Sequence, residues 1–139
     1  MRFFFDNGIA PTYVEVLKIL ARIQEYELVH LTDRFSANTK DPEWIGALAL
    51  EGDWVIISCD PRISRARVER QAWQESGITA FFFGDGWASL QLWKQAESLI
   101  HWWPTIVLRA RSANRGDGFL VPLHGKELKQ IYSAFDRRP

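Results

Sequence analysis

Apolar positions along the chain fall into two spacings that take turns, and the alternation predicts strands and helices in succession. Arg2 to Phe5 is a short aromatic run closed by Asp6-Asn7-Gly8, the pattern of a buried strand entering a tight loop. Pro11 suits a first helical position, and Tyr13, Val14, Leu17, Leu20 and Ile23 then recur at helical spacing to about Gln24. Glu27 to Leu31 reads as a second strand, Thr32 to Lys40 as a loop, and Asp41-Pro42 as the start of a helix carrying Trp44, Ile45, Leu48 and Ala49, with Gly52 after its end. Trp54 to Ser58 is continuously apolar and β-branched, as a central strand covered on both faces must be.

The second half is less regular. Pro61 to Ser76 is polar and Arg-rich, with Ile63, Val68 and Trp73 as sparse anchors of a helix ended by Gly77. Ile78 to Phe83 predicts a fourth strand and Gly84-Asp85-Gly86 a turn. Leu90, Trp93, Ala96, Leu99, Ile100 and Trp103 then mark an amphipathic helix. Pro104 is read as its end, with Thr105 to Arg109 a fifth strand, a short apolar run at Phe119 to Leu123, and a last helix near Lys126 to Phe135. Strands alternating with helices imply an α/β fold with a mainly parallel sheet and right-handed crossovers. In such sheets the sites form outside the carboxyl ends of the strands, where strand order reverses.

Composition narrows this picture only modestly. At 139 residues the chain has the length of one domain, and 47% hydrophobic with 24% charged residues is ordinary globular content. No apolar run approaches the roughly 18 to 20 residues of a membrane span. The start of the chain turns acidic too soon for a signal peptide, and the single cysteine, Cys59, excludes an internal disulfide and a Cys-based zinc site. These features lead to the expectation of a cytosolic protein without a membrane partner. The formal net charge of zero conceals an asymmetry: residues 1 to 60 hold 10 acidic and 5 basic side chains, and residues 61 to 139 hold 7 acidic and 12 basic ones.

The acids fall where the fold would place a site. Asp6 follows the first strand, Asp60 follows the third, and Asp41 and Glu43 stand at a helix start, so all lie on the carboxyl edge of the sheet. Like charges gathered there raise one another's pKa unless a cation neutralises them, and oxygen ligands favour Mg²⁺ or Mn²⁺ over zinc. Each acid also has a plainer reading. Asp41 before Pro42 and Asp60 before Pro61 have the form of helix caps, and Glu43 of a first-turn acid complementing the helix dipole. Asp41 and Glu43, two apart, cannot share one helix face. Ser58 either satisfies backbone at a strand end or binds a ligand water or substrate oxygen. After Asp60 come Arg62, Arg65, Arg67 and Arg70, which read either as a solvated helix face pairing with Glu69 and Glu75 or, because Arg62 and Arg65 at a helix start oppose its dipole, as phosphate contacts, Arg62 first among them. Arg109, Arg111 and Arg115 are candidates to extend that track. The three histidines, His30, His101 and His124, stand apart and are assigned no catalytic role.

Three segments in this order resemble the PIN domain family, and within it the small VapC-type toxins: Phe3-Phe4-Phe5-Asp6-Asn7, Asp41-Pro42-Glu43-Trp44-Ile45, and Val55 to Ile63 with its Ser58-Cys59-Asp60. The resemblance covers about residues 1 to 83. It implies a three-layer α/β/α sandwich with a mainly parallel central sheet over the whole chain as one domain. It also implies a Mg²⁺- or Mn²⁺-dependent endoribonuclease acting on single-stranded or structured RNA, paired with an antitoxin protein. Carried over, Asp6 and Asp60 would be metal ligands and catalytic, with Asp41 or Glu43 supplying the helix-start acid. A further Glu, which many members carry between the first strand and that helix, has no placed counterpart here. The rival reading is a non-catalytic PIN-like module whose acids only cap helices and whose Trp-rich face binds protein; the Trp-rich helix reads first as core, with Trp87 and the Trp102-Trp103 pair the alternative rings for a homodimer face or an antitoxin seat. A phosphatase or receiver is disfavoured because Asp6-Asn7-Gly8 lacks a second Asp two residues on, and nucleotide binding because no Gly-rich loop follows the first strand.

Overall fold

The computed structural model describes residues 1–60 and 67–133. Four strands arise where the apolar runs lie: β1 (Arg2–Phe5), β2 (Glu27–His30), β3 (Trp54–Ser58) and β4 (Thr79–Phe83). Between them run α1 (Pro11–Leu20), a single turn α2 (Leu31–Arg34), α3 (Asp41–Glu51) and α4 (Arg67–Ser76). The chain then continues through α5 (Leu92–Ser112), β5 (Gly118–Val121) and β6 (Lys129–Tyr132). One six-stranded sheet results, in the order β2-β1-β3-β4-β5-β6, with every pair parallel except β5 and β6.

Strand alternation explains the layers. Along β1, Phe3 and Phe5 point into one core with Tyr13, Val14 and Leu17 of α1 and Leu99, Trp103 and Ile106 of α5. Phe4 points the other way, onto Trp44 and Leu48 of α3 and Trp73 of α4. The sheet is therefore sandwiched between α1 with α5 and α3 with α4, the three-layer α/β/α arrangement expected. The first crossover carries the chain from β1 to β2, and the next returns past β1 to β3 on its other side. Right-handed crossovers in opposite directions put their helices on opposite faces, so the strand order reverses between β1 and β3.

Two predicted elements are overturned. Thr105 to Arg109 is not a strand: α5 runs unbroken through Pro104 for 21 residues. Leu99, Trp102, Trp103, Ile106 and Val107 keep one buried stripe across the proline, which itself lies on the exposed side. Burial of that stripe outweighs the lost backbone hydrogen bond. Lys126 to Phe135 is not a helix within the described residues either. Its Lys129–Tyr132 stretch pairs antiparallel with β5, whose edge would otherwise be unpaired, and Tyr132 lies so close over Gly118 that a Cβ there would sit 2.2 Å from its ring. Smaller differences follow the same logic. Helix α1 ends at Leu20, with Ala21 to Gln24 a turn, and Leu31 leaves β2 to open α2.

Candidate functional site

Register and alternation together assemble the site. Phe5 pairs with Ile57, so Asp6 and Ser58 emerge side by side one residue further on, and the Asp6 amide donates to the Ile57 carbonyl at 3.1 Å. Both lie on the same sheet face as Phe4 and Ile56, the face covered by α3 and α4. Helix α3 begins there with Asp41. Asp6, Asp41 and Asp60 line one cavity of about 290 Å³ with Asn7, Gly8 and Cys59, at the carboxyl edge of β1 and β3 where the strand order reverses.

Asp6 is held from both sides. The Ser58 hydroxyl donates to its Oδ2, and the Gly8 amide donates to its Oδ1 at 2.9 Å. Burial pushes its carboxyl up to about 6; the Ser58 and Gly8 hydrogen bonds oppose the rise, and the negative charge of Asp41 adds to it. The Ser58 side chain thus serves to orient Asp6, a role that was not expected from sequence. Burial, with the charges of Asp6 and Asp60 nearby, likewise pushes the half-buried Cys59 thiol up to about 11. Gly8 is required by proximity, since a Cβ at this position would stand 2.6 Å from the Cys59 carbonyl oxygen.

The helix-start acids separate. Asp41 is the first residue of α3 and not its cap: Lys40 caps the helix without a side-chain bond, and Asp41 instead accepts the Trp44 indole N–H at 3.1 Å. Glu43 is exposed and does not line the acid cavity. Among the described residues, no three His, Cys, Asp or Glu side chains gather closely enough to hold a metal ion by themselves. The expected convergence of acids therefore takes the form of three carboxylates around one cavity rather than a closed shell. Mg²⁺ is commonly bound by one or two carboxylates with water and substrate oxygens completing its octahedron, and this all-oxygen set fits that habit.

Arg62 and Arg65 lie outside the described residues. Arg109 and Arg111 are on the last turns of α5 rather than after a fifth strand, with Arg109 stacked over Phe119 at 5.3 Å. Arg115 lines a cavity with Met1, Arg2 and Asp53 at the amino ends of the strands, the edge opposite the acids. These three cannot extend a phosphate track beginning at Asp60. The aromatic assignment also changes: Trp87, Trp102 and Trp103 are buried, and the exposed ring is Trp93, 83% exposed.

His30 is a supporting residue that sequence reasoning passed over. It is buried at the end of β2, and its Nε2–H donates to the Ile9 carbonyl at 2.8 Å while Nδ1 accepts the Thr32 amide at 3.1 Å. Asp33 returns a bond to the His30 amide at 2.9 Å, completing a capping box that ties the loop after Asp6 to β2. The signal was available in His30-Leu31-Thr32-Asp33, an acid three residues after a residue able to accept.

An open, mostly parallel sheet with carboxylates at its switch point defines a class of α/β proteins whose ligands are bound at strand ends. A family model described as a PIN-like domain matches residues 1–85, which span β1 through β4 and all three cavity acids, and the chain belongs to that family. PIN domains are generally nucleases and typically use divalent metals. No curated protein matches the chain, and no solved structure does. No helix among the described residues is long and apolar enough to cross a membrane.

Proposed function

We propose that the chain is a metal-dependent endoribonuclease and acts as the toxin of a VapC-type toxin–antitoxin pair, in the cytoplasm. The observation that carries the nuclease reading is the single cavity lined by Asp6, Asp41 and Asp60 at the β1/β3 switch point. Asp6, Asp41 and Asp60 would hold Mg²⁺ or Mn²⁺, with substrate oxygens and water in the remaining positions. When bound, such an ion lowers the pKa of a coordinated water and offsets charge developing on the scissile phosphate. The chain's own part is positional. Ser58 and Gly8 fix both oxygens of Asp6, and Trp44 fixes Asp41, so the donor oxygens need little rearrangement on binding. Arg62 and Arg65 are the proposed phosphate contacts, on the sequence argument alone.

A protein partner is supported by apolar side chains left in solvent on the α1 and α5 layer. Ile19, Leu20 and Ile23 in and after α1, and Trp93 and Leu108 of α5, are all more than half exposed. The antitoxin or a second copy of the chain would cover them. The same exposure, with the open set of acids, favours the second reading of a non-catalytic binding module.

One experiment separates the two. Purified protein is incubated with single-stranded RNA and Mn²⁺, and Asp6→Asn and Asp60→Asn each abolish cleavage while near-UV circular dichroism is retained. Absence of metal-dependent cleavage, together with absence of calorimetric Mn²⁺ binding that depends on Asp6, makes the chain a binding module. The toxin assignment is tested by co-expression with the product of a small adjacent reading frame, which restores growth if it is the antitoxin.

A further inference from the structure

The acid cavity is the smaller of two adjoining concavities. A second cavity of about 690 Å³ shares Asp41 and Asp60 with it. That volume lies within the roughly 300 to 1,000 Å³ usual for small-molecule sites, and the acid cavity, about 290 Å³, lies at the lower limit. The two have opposite chemistry. Where the small one is walled by carboxylates, the large one is walled by Pro42, Ile45 and Trp73, with Asn38, Thr39 and Lys40 supplying its polar groups.

Its walls are fixed in advance. Trp73 is wedged edge-on between Trp44 and Phe82, with centroid distances of 5.7 and 5.0 Å. The loop before α3 is tied to the catalytic loop by the Asn7 side chain, which donates to the Ala37 carbonyl at 2.7 Å, and the Thr39 amide closes a turn onto the Ser36 carbonyl at 3.0 Å. Ser36 donates to Asn38 Oδ1, which leaves the Asn38 Nδ2 hydrogens to donate to a guest. A ligand that carries an anionic phosphate at the carboxylates must therefore place beside it a group with apolar faces and hydrogen-bonding edges.

We infer that this second cavity seats one unpaired nucleobase next to the scissile phosphate, which makes the substrate single-stranded RNA and makes Asn38 and Ile45 determinants of base preference. The inference rests on the nuclease reading for its phosphate. A base inside a duplex has both faces covered by stacking and its pairing edge in use, so it cannot enter such a concavity, whereas an unpaired base offers both faces and its edge. Lys40, on the rim, supplies positive charge to the neighbouring backbone.

The test uses the four ribonucleoside 5′-monophosphates and ribose 5-phosphate as probes, in Mn²⁺, with binding read by calorimetry. At least one nucleotide binds about tenfold or more tightly than ribose 5-phosphate, the size of effect that one buried ring and its hydrogen bonds supply. Ile45→Trp, which fills the cavity, brings that nucleotide to the level of ribose 5-phosphate. Asn38→Ala narrows the spread among the four nucleotides to within about threefold, the loss of one directional bond. Near-UV circular dichroism checks that each variant is folded, and Asn38→Ala decides the matter if Ile45→Trp is not. Nucleotides that bind no better than ribose 5-phosphate overturn the base seat; if Mn²⁺-dependent RNA cleavage persists alongside, the nuclease reading survives its loss. Base-selective binding by a protein that does not cleave RNA upholds the seat and overturns the nuclease.

Discussion

Replacing Asp6 by Asn should make the metal-free protein more stable at neutral pH, an unusual expectation for a residue at the centre of a site. Burial lifts the Asp6 carboxyl from the ordinary 3.8 to about 6. At about 1.4 kcal/mol per pH unit this corresponds to roughly 3 kcal/mol. The sign follows from which state gives up its proton first. Below about pH 4 both folded and unfolded chains keep it, and Asp6 contributes nothing to pH dependence. Between about pH 4 and 6 the unfolded chain ionises while the folded one resists, so stability falls; above that the loss is complete. Asn cannot ionise and escapes the fall. Like a protonated carboxyl, it offers one full acceptor oxygen to Ser58 and Gly8, so it should match the wild type within about 1 kcal/mol wherever Asp6 is protonated. Asp6→Asn should therefore lie within about 1 kcal/mol of wild type below pH 4 and be about 2 to 3 kcal/mol more stable at pH 7.5, the gain appearing between about pH 4 and 6. Urea unfolding followed by tryptophan fluorescence, in EDTA across pH 3.5 to 8, measures both curves. A difference that stays constant with pH would show that Asp6 is an ordinary solvated carboxylate and would remove the physical reason for placing an ion beside it.

Three more outcomes follow from named contacts. Ser58→Ala deletes a hydrogen bond that holds the Asp6 carboxyl down, so its titration, followed by carboxyl ¹³C NMR without metal, should move upward by about one pH unit; an unchanged midpoint refutes the contact. Cys59, with its thiol pushed up to about 11, should react with iodoacetamide at pH 8 far more slowly than a free thiol, and faster in Asp6→Asn because one of the charges raising it is gone; equal rates in the two proteins would deny their proximity. Gly118→Ala drives a methyl into the Tyr132 ring and should cost about 1 to 3 kcal/mol, with hydrogen-exchange protection lost in β6 before the rest of the sheet. A silent Gly118→Ala would mean that Tyr132 does not lie over β5.

The first half of the chain was legible because each of its elements is short and its local chemistry agrees with its place in the fold. Phe3, Phe4 and Phe5 can be buried on both faces only in a central strand, and Asp41-Pro42 has few uses other than opening a helix. The second half failed where tertiary burial overruled a local signal. Pro104 looks like a boundary until Trp103 and Ile106 are seen to face the same core, and the helix expected near Lys126 to Phe135 gives way at Lys129–Tyr132 because the edge of β5 claims that stretch for a strand. Trp87, Trp102 and Trp103 follow the core reading of the Trp-rich helix and not the alternative of an interface, because periodicity finds a face but does not say which of several aromatic residues lies under it. At the candidate site, positions after strands singled out Asp6 and Asp60, which line the same cavity, but the sequence left Asp41 and Glu43 undivided, since only the entry angle of α3 decides which faces it. Ser58 and His30 were misread or missed because their partners, Asp6 and Ile9, are distant in sequence.

Charge placement shows why the separation of the two halves has a physical consequence. An acidic cavity repels RNA at long range, so a nuclease built on Asp6, Asp41 and Asp60 requires compensating charge close to the acids rather than merely somewhere in the chain. At physiological ionic strength interactions are screened beyond about 8 Å. Arg115, at the opposite edge of the sheet, is separated from the acids by the length of the strands, and a five-residue strand such as β3 already exceeds that distance at about 3.3 Å per residue. The basic excess of residues 61 to 139 is therefore not one reservoir. Arg109 at the end of α5 lies against Phe119, and Arg115, beyond α5, lines a cavity at the far edge with Asp53. If RNA is held at the acids, the cation must supply the nearest positive charge, with Lys40, which lines the second cavity, adding to it. Neutralising Arg115 should then leave the salt dependence of RNA binding unchanged, while Lys40→Ala should reduce the slope of log affinity against log salt by about one, a contrast that a uniformly basic RNA-binding face would not produce.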